Sequence, residues 1–188
     1  MEKKQKISTR KIVFVALMAA LTVAGSALRI TLPIDIAGTT SFHLGNIMCA
    51  LSGLLLGPWL GGLAAGLGSA IYDIMNPAYI SECWITFLTK GAYGVVVGLV
   101  VWALGKNWGY TKAILASAAG ALTYAILYLS KSYFYNGLLI KGLTADAALL
   151  TVISKLPATV FNAVVAVIFA PILGVAIQKA LKQNNISL

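Results

Sequence analysis

Residues 43–75 read HLGNIMCALSGLLLGPWLGGLAAGLGSAIYDIM, and Asp73 is the one acidic or basic side chain among them apart from His43. About 20 apolar residues cross a bilayer as a helix, so this stretch is too long for one crossing. Gly57-Pro58 punctuates it, and the stretch reads as two spans, 43–56 and 59–75, joined by a turn without charge. Asn76-Pro77 ends the second span. Working outward, comparable apolar runs give spans at 83–104, 113–135 and 147–177 on one side, and 12–28 on the other. Ser81-Glu82 is placed to cap the span at 83–104. Pro157 and Pro171 fall inside the last span, where a kink or break is expected.

Composition supports this reading. Of 188 residues, 60% are hydrophobic and 10% are charged, against about 25% charged in a soluble domain. The mean hydropathy is +0.89. These values exclude a soluble enzyme and a disordered chain. The expected fold is all-α: a polytopic membrane protein of six transmembrane helices in a compact bundle, in one domain. Lys3, Lys4, Lys6, Arg10 and Lys11, with the run up to Gly25-Ser26-Ala27, mimic a signal peptide. The rest of the chain is equally apolar, so 12–28 reads as a first span.

Charge orients the bundle. Nine basic residues (Lys3, Lys4, Lys6, Arg10, Lys11, Lys106, Lys112, Lys179 and Lys182) fall on the side that holds both termini, against Arg29, Lys131 and Lys141 on the other. The bias places both termini in the cytoplasm. It also accounts for the net charge of +9 without nucleic acid. Cys49, Cys83 and the single histidine form no metal-ligand pattern, and no metal or other cofactor is expected. Residues 29–43, with Arg29, Asp35 and His43, form a long polar outer connection suited to a lid or binding loop.

Polar groups inside the spans are the candidate site. Lys90, Lys155 and Tyr128 each lie about eight residues from the outer end of their spans, roughly 12 Å deep. A lysine at that depth marks a site unless an internal ion pair holds it, and Lys90 could pair with Asp73 or Glu82. Tyr124, Tyr128, Lys131 and Tyr135 form one helical stripe, and the deeper tyrosines could stack on a planar ring. Asn162 shares a face with Lys155, and Trp84 lies near the outer mouth. The candidate substrate-binding set is Lys90, Tyr124, Tyr128, Lys155, Asn162, Trp84, Glu82 and Asp35. Ala16, Ala20 and Ala24 form a small-residue strip that admits another helix, within the chain or from a partner. Glycines 53, 57, 61, 62, 66, 91, 94 and 98 suggest close internal contacts. No phosphate-binding loop, nucleophile elbow or HExxH motif occurs, so an enzyme is not expected.

The ordered series Leu44-Gly45-Asn46, Leu54-Leu55-Leu56-Gly57-Pro58, Gly66 to Asp73 and Thr89-Lys90-Gly91, with the alanine strip, resembles the S components of energy-coupling factor (ECF) vitamin transporters, riboflavin-type branch. The resemblance implies a high-affinity binding subunit of an ABC importer in the bacterial plasma membrane. It implies a coupling module of one transmembrane subunit, docked on the alanines, and two ATPase subunits. It places the pocket under the first outer loop, among spans 4, 5 and 6. A small heteroaromatic such as pyridoxine or hydroxymethylpyrimidine suits the compact outer loops, with riboflavin, folate and pantothenate as alternatives. A self-sufficient secondary transporter, with Asp73 as its coupling-ion residue, is the rival reading.

Overall fold

The computed structural model describes residues 8–32, 40–105 and 107–186. Its elements are α1 (Thr9–Ala27), β1 (Arg29–Leu32), β2 (Thr40–His43), α2 (Gly45–Met75), a 3-10 turn (Ile80–Glu82), α3 (Cys83–Ala103), α4 (Tyr110–Ser130), a π-helical continuation (Lys131–Ile140) and α5 (Ala145–Gln183). Among the described residues, five helices are long and apolar enough to cross a membrane. Their outward faces carry large apolar side chains, including Leu122, Ile126, Phe161 and Ile153, each at least half exposed. The interior is rich in alanine, serine and threonine: Ala50, Ala64, Ala113, Ala116, Ser52, Ser117, Thr22 and Thr151 are fully enclosed. Apolar outside and small or polar inside is the arrangement that hydrocarbon solvent selects. The chain is a multi-pass integral membrane protein.

The break anticipated at Gly57-Pro58 lies within α2. Gly57 takes φ 75° and ψ −173°, angles open to glycine and strained for other residues. The two arms of α2 fold back on each other there. A Cβ on Gly61 would lie 2.7 Å from the Gly53 Cα, and Cys49 Sγ lies 3.7 Å from Ser69 Oγ. Helix α3 packs into the resulting hairpin through glycines. A Cβ on Gly98 would meet Pro58 N at 2.3 Å, and one on Gly53 would meet Gly94 O at 2.5 Å. Backbones therefore touch directly, with no side chain between them.

Four features differ from the sequence expectation. The outer connection contains an antiparallel hairpin, with Arg29 opposite His43 and Ile30 opposite Phe42. Helix α4 does not stop at Tyr135 but continues in π-helical form to Ile140, because Ser132 and Asn136 turn into the protein rather than into water. The chain stays helical through Pro157 and Pro171. Neighbouring helices can support a backbone that loses one hydrogen bond at each proline. Glu82 precedes α3 but makes no capping bond with its side chain; its carboxylate is engaged elsewhere.

Gly98→Val should destabilise the detergent-solubilised protein by about 1–3 kcal/mol or more, the cost of an overpacked core, and so lower its thermal midpoint. Gly109→Ala, where an added Cβ meets nothing within 4 Å, should leave it unchanged. Equal midpoints for the two variants would contradict the backbone contact.

Candidate functional site

A polar cavity of about 140 Å³ lies at the end of the bundle that carries the β-hairpin and the 3-10 turn. Each transmembrane helix, the hairpin and the turn contribute to its wall. Four cationic side chains, Arg29, Lys90, Lys131 and Lys155, line it with two carboxylates, Asp73 and Glu82. The cavity is therefore cationic overall among its described residues.

Its deep wall carries Tyr124 and Tyr128, which form a ladder of aromatic rings with the fully buried Tyr93. Tyr93, Tyr124 and Tyr128 stack in sequence, with centroids 5.8 and 5.7 Å apart and interplanar angles of 15° and 25°. The spacing of four residues between Tyr124 and Tyr128 puts both on one face of α4. Lys90 Nζ sits 3.8 Å from the Tyr124 ring centroid, and Lys155 Nζ sits 5.6 Å from that of Tyr128. Lys90 is 5% exposed and donates to Asn46 Oδ1 from the first arm of α2. Among the described residues no carboxylate lies within ion-pair distance of it, so the alternative of an ion pair with Asp73 or Glu82 is not made. Lys155 is 2% exposed and donates to Ser132 Oγ at 3.4 Å.

Two side-chain clasps tie elements together at the mouth. Asn162 on α5 holds β2: its Oδ1 accepts from His43 N at 2.9 Å, and its Nδ2 donates to Ser41 O at 2.9 Å. Glu82 accepts from Lys131 Nζ and, at 2.8 Å, from Asn136 Nδ2, tying the 3-10 turn to the π-helical segment. Arg29 lies over the rings of Tyr72 and Tyr79, at 4.3 and 4.9 Å from their centroids. It is anchored by a bond from its Nε to Ser26 O at 2.9 Å. Burial, then the charges of Lys90 and Arg29, push His43 well below the usual imidazole range. Neutral His43 accepts from Gly45 N through Nδ1.

Of the candidate residues, Lys90, Tyr124, Tyr128, Lys155, Asn162 and Glu82 line this one cavity. Trp84 does not: it is 55% exposed and packs edge-on against Tyr135, 6.0 Å away. Asp35 lies outside the described residues. Ala16, Ala20 and Ala24 are all exposed on α1, so the strip faces away from the bundle. Arg29, Asn46, Tyr72, Tyr79 and Asn136 also line the cavity and were not in the candidate substrate-binding set. Asn46, an amide one turn inside an apolar span, was the signal available for one of them.

The arrangement can hold a small polar molecule away from water. It offers flat π faces, buried ammonium groups and several hydroxyls and amides.

Comparison with known proteins agrees with this architecture. A structure described as the S component for biotin from an ECF-type ABC transporter superposes with a TM-score of 0.63, covering 92% of this chain and 94% of that one, at 16% identity. That likeness shows the fold. A protein of Pyrococcus woesei, described as an uncharacterised protein in the gap 3′ region, is 33% identical over 118 residues, 63% of this chain and 74% of its own length. The family model described as ECF-type riboflavin transporter, S component, matches residues 6–179. The chain belongs to that family of ECF transporter S components.

Proposed function

We propose that this protein is the high-affinity, membrane-embedded substrate-binding subunit of an ECF-type ABC importer for a water-soluble vitamin or vitamin precursor. The observation that carries the reading is the polar cavity with its paired lysines and tyrosines, set in a bundle otherwise clad for lipid. ATP hydrolysis then belongs to two partner ATPase subunits. The transmembrane coupling subunit docks on the outward strip of Ala16, Ala20 and Ala24, where small side chains let a helix approach closely.

The protein crosses the plasma membrane of a bacterium six times in this reading, with each arm of α2 as one pass and both termini in the cytoplasm. Arg10, Lys11, Lys112, Lys179 and Lys182 at the end that holds the termini support that orientation. The substrate is a small heteroaromatic of the size of pyridoxine or hydroxymethylpyrimidine. The tyrosine ladder favours a planar ring. The volume of about 140 Å³ is below the ~300 Å³ at which cavities for drug-sized ligands begin. The excess of cationic groups favours ring substituents that are acidic or accept hydrogen bonds.

Three outcomes test the reading. Mass spectrometry of the purified protein should detect a stoichiometric small ring compound released on denaturation. Lys90→Met and Lys155→Met should each weaken binding of that compound at least thirtyfold, from the ~2 kcal/mol of a desolvated charge contact. A lysine with only an internal structural role would instead lower the thermal midpoint of the empty protein and leave affinity intact. Ala16→Phe with Ala20→Phe should preserve ligand binding but abolish uptake in cells, and retained uptake would remove the coupling role of the strip.

A further inference from the structure

The opposite end of the bundle holds a second cavity, of about 460 Å³, with different chemistry. Leu54, Leu55 and Leu60 line it around the fold-back of α2, and Trp102 and Trp108 close it from the α3–α4 side. Trp108 is 6% exposed, and a Cβ on Gly174 would lie 3.1 Å from its ring. The indole therefore packs tightly against α5.

Two lysines line the same cavity, Lys11 from the first turn of α1 and Lys182 from the last turn of α5. Lys182 Nζ reaches Asn107 Oδ1 at 3.5 Å. Lys112 stands beside them, donating to Leu104 O at 2.6 Å and Asn107 O at 3.3 Å. No acidic residue lines the cavity among the described residues. Basic residues and tryptophans are common wherever helices leave a bilayer. Here they surround an apolar hollow between helices, which a general charge bias does not require.

A soluble anion would leave the leucine and tryptophan wall unfilled. An uncharged hydrocarbon chain would leave the ammonium groups without a counter-charge. An anionic amphiphile satisfies both parts. We propose that this cavity binds one anionic phospholipid, with its phosphate between Lys11 and Lys182 and an acyl chain against Leu54, Leu55, Leu60 and Trp108. The site is independent of the polar cavity at the other end.

The test uses the full chain with Trp59→Phe and Trp84→Phe, which leaves Trp102 and Trp108 as the fluorophores. The protein is placed in phosphatidylcholine vesicles containing equal mole fractions of brominated phosphatidylglycerol or brominated phosphatidylcholine. The brominated phosphatidylglycerol should quench much more strongly. Lys11→Gln with Lys182→Gln should weaken that preference about thirtyfold. An unchanged thermal midpoint in this variant shows that the fold is intact. Identical quenching by both lipids, or a preference that survives the double variant, overturns the proposal. A photoreactive benzoylphenylalanine at Leu60 should yield a lipid-mass adduct in cells; a cross-link to another polypeptide would assign the cavity to a protein partner instead.

Discussion

Backbone contact between glycines on α2 and α3 is the constraint from which the site follows. In hydrocarbon, neighbouring helices gain little from burying apolar surface, because lipid tails are as apolar as leucine. Association has to come from close packing. Gly53, Gly61 and Gly62 on the two arms of α2 accept Gly94 of α3, and the Gly57-Pro58 fold-back accepts Gly98, at distances that leave no room for a Cβ. That approach brings Asn46 on the first arm of α2 within hydrogen-bonding reach of Lys90 on α3. The same fold-back sets Ser69 and Asp73 on the wall of the cavity that holds both.

A desolvated ammonium group needs compensation. For Lys90 it comes from neutral groups, the Asn46 carbonyl oxygen and the π face of Tyr124. Each supports the charge without cancelling it. Glu82, in contrast, is committed to Lys131 and Asn136 at the mouth. Lys131 is thus neutralised by a carboxylate at the mouth, whereas Lys90 keeps its charge among neutral groups deeper in the cavity.

The long apolar runs and the Gly57-Pro58 break made most of the helices legible, since a span must be continuous in a solvent that offers no hydrogen bonds. The depth of Lys90, Tyr128 and Lys155 could be counted along three runs, and the structure brings them to one cavity. Other features were ambiguous for a physical reason. Polarity near a span's end signals either water or an internal cavity, so Asn136 reads as part of a link although it faces inward. Arg29 reads as an ordinary loop cation because its partners, Tyr72 and Tyr79, come from distant sequence. Alanines spaced by four mark a face but not its direction, and only packing of Met18, Ala19 and Thr22 inward turns Ala16 and Ala20 out. Trp84 lay at the correct height but on the wrong side of α3 to reach the cavity.

The Asn162 clasp has a kinetic meaning. Its oxygen and its nitrogen are each used on the backbone of β2. The side chain therefore cannot turn to a bound molecule without letting go of the strand that covers it. Each of those two bonds contributes about 1 kcal/mol, and the carrier helix α5 also presents Lys155. Movement of the hairpin away from α5 requires both bonds to open together, so the rate at which this strand lifts is set in part by the amide of Asn162.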